Sequence, residues 1–151
     1  MKLELEWTRP LSLRKAREDA NLIYTFDHTK LPHAPGVYVF GRRFGRNLEA
    51  LYVGKANKLH WRVKDQLKNL PLMLHLKNAK IGKRVVFIGR FRPKPGQREE
   101  KCLPLLERAL IRYFLSEGHD LVNKQGRRLK NHEITSTKPR RLVPPLMFVD
   151  R

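Results

Sequence analysis

Four side chains in the first half of the chain have the types and spacing to handle a phosphate. Tyr38 closes the tripeptide Gly36-Val37-Tyr38, and Tyr52 opens its reverse, Tyr52-Val53-Gly54. Lys55 follows Tyr52 by three residues and Arg62 follows it by ten. A phenol can donate to or accept from a phosphate oxygen, an ammonium supplies a point charge, and a guanidinium forks onto two oxygens at once. A phenol titrates at about 10 in isolation, so Tyr38 could take a proton from water only if Lys55 or Arg62 lowered it. Two tyrosines in strands are also ordinary core residues. The cations beside them are what turn the pair toward chemistry.

The elements that must position these groups follow from periodicity. "GVYVF" and "EALYVG" read as strands, joined by a hairpin loop over "GRRFGRNL". A loop centred on Gly45 makes cross-strand numbers sum to 90, which sets Tyr38 directly opposite Tyr52. Val37, Val39, Leu51 and Val53 then share the core face. A helix of about a dozen residues follows, with Asn57 as N-cap and Pro71 as stop. Leu59, Val63 and Leu67 form its buried stripe, with Lys58, Arg62 and Asp65 on other faces. "RVVFIGRF" is a third strand. A second helix covers residues 103–117, with Pro104 in its first turn, Leu106, Leu110, Ile111 and Phe114 on its apolar face, and Gly118 ending it. Ahead of the hairpin, "KLELEW" alternates like a strand, "LSLRKAREDANLI" has helical composition and "YTFDHTKLPHAP" is a connector. From Lys124 the chain turns basic and closes on "LVPPLMFVDR", a tail that is either docked or free.

Composition narrows the partners. Of 151 residues 40% are apolar, enough for one core, and 33 Lys and Arg against 14 Asp and Glu leave a net charge of +19. The isoelectric point is near 10.7. Such a surplus calls for a polyanion, and nucleic acid fits best because phosphate neutralisation releases counterions. An anionic membrane surface is the competitor, without a long basic amphipathic helix or lipidation motif to support it. One cysteine, Cys102, excludes an internal disulfide and a cysteine-based zinc site. "MKLELEWTRP" lacks the apolar core of a signal peptide, and no run is long enough to span a membrane, so the expected setting is cytoplasmic.

With these residues in place, "LPHAPGVYVF" followed by "LYVGKANKLHWRVKDQL" resembles the GIY-YIG nuclease superfamily, and in particular the nuclease module at the N-terminus of the excision-repair incision enzyme. Both tripeptides carry valine where the family often has isoleucine. The resemblance spans residues 31–124, about three fifths of the chain, leaving residues 1–30 and 125–151 as N- and C-terminal extensions. It implies a small α/β (α+β) domain, a three-stranded antiparallel sheet flanked by helices. It also implies an endonuclease that leaves 5′-phosphate and 3′-hydroxyl ends and uses one Mg²⁺ or Mn²⁺. Glu107, in "LPLLERALIRYF", matches the family's metal-binding glutamate, and Asn123, in "HDLVNK", its later asparagine. Tyr38, Tyr52, Lys55, Arg62, Glu107 and Asn123 become the catalytic set, with Tyr38 the candidate base. Two departures stand out. The tyrosines are fourteen apart, which suggests a loop insertion. Gln66 also stands where many members place His or Tyr, with His60 as a possible substitute. Lys58, Lys64, Lys68, Arg90, Arg92 and the pairs Arg127-Arg128 and Arg140-Arg141 are candidates to line a groove for the nucleic-acid backbone, DNA being the expected partner of a monomer or homodimer.

Two other readings compete. One is a non-catalytic nucleic-acid-binding module on the same fold, which would have no need of Tyr38, Tyr52, Lys55, Arg62 and Glu107 together. The other is a basic structural or ribosome-associated protein, which would co-purify with RNA and show no metal-dependent cleavage.

Overall fold

A computed structural model describes residues 1–17, 21–122, 132–137 and 142–149. Its strands and helices run β1 (Lys2–Trp7), β2 (Leu11–Ser12), β3 (Arg14–Lys15), β4 (Tyr24–Thr25), β5 (Gly36–Phe44), β6 (Asn47–Ala56), α1 (Leu59–Asp65), α2 (Leu70–Asn78), β7 (Lys83–Phe91), α3 (Glu99–Ser116), β8 (His132–Thr137) and β9 (Leu146–Val149). The class is α+β, with the main sheet ordered β6-β5-β7-β1-β8-β9 and β2 paired to β7. The expected sheet of three strands is therefore too small: seven strands belong to it. Residues 1–30 contribute β1, which pairs antiparallel with β7 and parallel with β8. Alternation explains β1, since Leu3, Leu5 and Trp7 are buried while the residues between them are not.

The sheet has an apolar layer on each face. On one side α3 lays Leu103, Leu106, Leu110, Ile111 and Phe114 against Val37, Val39, Val53 and Phe87. On the other, Leu59, Val63 and Leu67, with Leu72, Met73 and Leu76 of α2 and Tyr24, Phe26 and Leu31 of the connector, cover Tyr38, Phe40, Val86 and Ile88. Among the described residues, no helix is long and apolar enough to cross a membrane.

Several local expectations need correction. The stretch "GRRFGRNL" is mostly strand: β5 and β6 pair out to Phe44 opposite Asn47, leaving a two-residue turn at Gly45-Arg46. Instead of a loop insertion, longer strands and a bulge after Phe40 accommodate the fourteen-residue tyrosine spacing. The bulge also moves Leu51 off the Val37 face and onto that of the tyrosines. Within "LSLRKAREDANLI" the described residues hold strands rather than a helix, because Leu11 alternates with Ser12 and the pair docks on Val86 and Val85.

Nor does Pro71 stop a helix. After α1 a 3₁₀ turn covers Gln66–Lys68, and Asn69 caps α2 by accepting from the Leu72 N–H, with Pro71 in the first turn, where its missing N–H costs nothing. Asn57 does not cap α1. That role falls to Lys58, without a side-chain bond, and the carbonyls of Ala34 and Pro32 accept from Leu59 N–H and His60 N–H instead. The proline-bearing connector thus anchors the start of α1. Helix α3 begins at Glu99, so Pro104 lies inside it rather than in its first turn. It ends in paired bonds from Gly118 N–H to Leu115 and from His119 N–H to Phe114, a Schellman closure.

Candidate active site

The register of β5 on β6 sets the phenols. Tyr38 pairs with Gly54 and Phe40 with Tyr52, so the numbers sum to 92 here and the tyrosines are diagonal neighbours rather than direct opposites. The offset is two residues, which preserves the face. Their rings stack with centroids 6.2 Å apart. A Cβ on Gly54 would overlap Cζ and Oη of Tyr38, and one on Gly36 would strike the Gly89 carbonyl and Leu59. Each glycine stands beside its tyrosine for a packing reason. Gly54 is the floor on which the neighbouring phenol lies, and Gly36 lets β5 close on β7.

A chain of hydrogen bonds holds the phenols. The Leu72 N–H can only donate, so Asn69 presents Oδ1 to it and turns Nδ2 toward Oε1 of Gln66, at 2.8 Å. That fixes Gln66 with Nε2 facing the tyrosines, donating to Tyr38 Oη at 2.6 Å and Tyr52 Oη at 3.3 Å. Gln66 is only 6% exposed. The Arg62 guanidinium also donates to Tyr38 Oη, which raises the Arg62 pKa further. The Tyr38 phenol moves the opposite way from the expected lowering: burial, then the nearby Tyr52 phenol, push it well above the ordinary range, and the bonds from Gln66 and Arg62 do not offset them. Tyr38 stays protonated and anchors Arg62. Tyr52, half-buried, is the phenol that borders the open groove.

Glu107 comes from the other face of the sheet. Its half-buried carboxylate accepts the Lys55 backbone N–H and lies within electrostatic reach of Lys55, Arg108 and Arg62. Burial nonetheless raises it above the usual carboxylate range. The end of β6 therefore gathers Tyr38, Tyr52, Lys55, Arg62 and Glu107. It has help from the bulge: Ala50 N–H donates to Nδ1 of His119 at 2.7 Å and Leu51 C=O accepts from Val122 N–H at 2.8 Å, so the segment after α3 is stitched along the outer edge of β6. Burial lowers the His119 pKa, which suits the neutral acceptor. Asn123 lies outside the described residues.

Two adjoining grooves open here. One, about 290 Å³, is bordered by Tyr52, Arg62, Asp65, Gln66, Lys68 and Asn69. The other, about 760 Å³, is bordered by Lys55, Lys58, Trp61, Arg62, Lys64 and Lys68, with Asp65 again its one carboxylate. Lys58, Lys64 and Lys68 thus share a groove with the catalytic candidates. Arg90 and Arg92 do not: both face Glu6, Arg92 at 2.6 Å and Arg90 at 4.0 Å, and they line neither groove. Arg127, Arg128, Arg140 and Arg141 lie outside the described residues.

A single carboxylate suits Mg²⁺ or Mn²⁺ bound mainly through water and substrate phosphate, because Mg²⁺ keeps several waters and takes one or two carboxylates. Among the described residues no three His, Cys, Asp or Glu side chains cluster to form a fuller cage. The half-buried Glu107, held above its ordinary value by desolvation, is a donor that a cation would favour in its charged form. His60, the candidate substitute for the missing His or Tyr, borders neither groove among the described linings. It stacks on His33 at 4.2 Å, beside His28.

Sequence reasoning missed the structural part that Gln66 and Asn69 play. Gln66 lies seven residues after Leu59, on the buried stripe, where a polar side chain needs partners. Asn69 ahead of Leu-Pro carries an N-cap signal. No protein-family model, curated protein or solved structure matches this chain. What fold and site define is an α+β protein whose edge strand ends beside a cationic groove bordered by the Tyr52 phenol, with Tyr38 buried behind it and the Glu107 carboxylate within electrostatic reach of its cations.

Proposed function

We infer that the protein is a GIY-YIG-type endonuclease that hydrolyses DNA phosphodiester bonds in the presence of Mg²⁺ or Mn²⁺, leaving 5′-phosphate and 3′-hydroxyl ends. The observation that carries this reading is that Arg62, on the helix covering one face of the sheet, and Lys55, at the end of β6, both lie within electrostatic reach of Glu107 on the helix covering the other face. Arg62, held by Tyr38, is placed to stabilise the charge that builds on the phosphorus oxygens during in-line attack by water. Tyr52 orients the water or the phosphate through its hydroxyl, and Lys55 draws the backbone in. Glu107 would hold the metal ion, which would supply Lewis-acid polarisation of a phosphate oxygen and charge stabilisation of the leaving oxygen. Tyr38 keeps its proton and is a positioning residue, so the water's proton leaves to the solvent of the open groove. Asn123 is the remaining member of the set, as a brace. A cytoplasmic setting goes with this reading, since Cys102 is a buried free thiol.

A non-catalytic DNA- or RNA-binding module is the second reading, and the raised Tyr38 phenol favours it because no lowered base accompanies the cations. Incubating the protein and Glu107→Ala with labelled duplex, single-stranded, flapped and RNA substrates, in Mg²⁺, Mn²⁺ and chelator, separates the two. The nuclease cleaves only with metal, and Glu107→Ala loses cleavage by orders of magnitude while still binding. Cleavage by Glu107→Ala at the wild-type rate overturns the assignment, and binding without cleavage in any arm supports the module.

A further inference from the structure

We propose that Trp61 is a stacking platform for an unpaired DNA base next to the phosphate site, so that the preferred substrate carries a single-stranded segment there. The proposal rests on reading the groove as a nucleic-acid site and names the form of nucleic acid that it takes. Trp61 is 64% exposed, an unusual fate for the largest apolar side chain. It stands immediately before Arg62 on α1. Lys58, Trp61, Arg62 and Asp65 follow the i, i+3, i+4, i+7 spacing, so they share the face opposite the buried stripe of Leu59 and Val63.

Three features choose the occupant. Among the described residues, the larger groove is bordered by the cations Lys55, Lys58, Arg62, Lys64 and Lys68 with Asp65 as the one carboxylate, a balance that suits a polyanion better than a protein partner of mixed charge. Apart from Asn57, the rest of its described lining is apolar, Leu22, Ala56 and Leu67 together with the indole, and a reader of the backbone alone would have no use for such a surface. His60 meets the Trp61 ring edge-on at 5.8 Å and 87°, bracing it while leaving the indole largely open. A cationic track joined to an exposed aromatic face is how single strands are held, because every base has a π-face while duplex bases are already stacked. Arg62 and Lys68 border both grooves, so a strand whose phosphate lies at Tyr52 and Arg62 can pass its next base to Trp61.

The test uses the full chain in chelator, so that binding is read without cleavage. The protein has two tryptophans, and Trp7 is fully buried, so quenching by a stacked base reports on Trp61. Short oligo(dT) is expected to quench the emission. Trp61→Ala should weaken oligo(dT) binding about tenfold or more and leave a blunt duplex of the same length unaffected, whereas Trp61→Phe should retain most of the affinity. Absence of quenching overturns the proposal, as does equal loss on both substrates. An oligo(U) strand that binds more tightly than oligo(dT) overturns the assignment to DNA. A blue shift on phosphatidylserine vesicles with no response to oligo(dT) does the same in favour of a lipid surface. The nuclease reading is judged separately, by cleavage with Glu107→Ala in Mg²⁺.

Discussion

Burial holds the Glu107 carboxyl above its ordinary value even though Lys55, Arg108 and Arg62 all pull it down. The folded chain therefore binds this proton more tightly than the unfolded chain, whose carboxyl titrates near 4.5. The stabilising contribution is complete below that value and is lost as pH rises through the higher folded value, so at neutral pH the ionised group is a cost to the fold. Glu107→Gln is expected to melt at a higher temperature than wild type at neutral pH, with the gain shrinking as the buffer is taken below about pH 4.5. Added Mg²⁺ should raise the wild-type melting temperature more than that of Glu107→Gln. Equal responses to Mg²⁺ would remove Glu107 from the metal site. Residue types were the most legible part of this site. The phenols, Lys55, Arg62 and Glu107 could be picked out from spacing and resemblance, whereas Gln66 looked like a mere departure. Its use depends on Asn69 and Leu72, whose arrangement no spacing rule conveys.

At the level of elements, alternation was readable and local breaks in it were not. β1 follows from its alternation, and β7 from its run of β-branched and aromatic residues. The two-residue turn and the bulge after Phe40 each shifted the register by one, which left the tyrosines on one face but moved their partners by two, and a bulge adds its residue without an obvious sequence mark. α2 was hidden by Pro71, which can end a helix or begin one, and only the Asn69 cap decides. The far end of α2 has a device of its own. Arg84 on β7 donates from Nε to Leu76 O at 2.7 Å and from its other nitrogens to the carbonyls of Ala79, Lys80 and Gly82. One guanidinium thus satisfies acceptors left open where the helix stops. Arg84→Ala should destabilise the fold by roughly 2–3 kcal/mol in urea unfolding, since several charge-assisted bonds are lost together. An unchanged midpoint would mean that water replaces them without loss.

Across the whole molecule the charge is unevenly used. Arg90 and Arg92 are held by Glu6, while the five cations of the larger groove share it with one carboxylate among the described residues. If those five each displace a counterion, affinity for single-stranded DNA should fall about a hundredfold between roughly 50 and 200 mM salt. A flat response measured by anisotropy would argue against phosphate contact. The net charge of +19 announced a polyanion from composition alone. It could not say which cations gather, because that is decided by strand order.

The parallel pairing of β1 with β8 bears on the order of assembly. Thr135 Oγ1 bonds the carbonyl of Leu3, 132 positions away, so the middle of the sheet is closed by a pairing of very long sequence separation. The hairpin of β5 and β6 closes over a two-residue turn, whereas β1 must wait for β8 to emerge from the ribosome and for a long loop to be drawn shut. Until then its outer edge is an unpaired template for other strands. Pulsed hydrogen exchange during refolding should find the β1 amides that face β8 protected after those of β5 and β6, and simultaneous protection would show that the long closure is not the slow step. In physiological terms, the half of the molecule that bears the groove can be built while the other half is still being made.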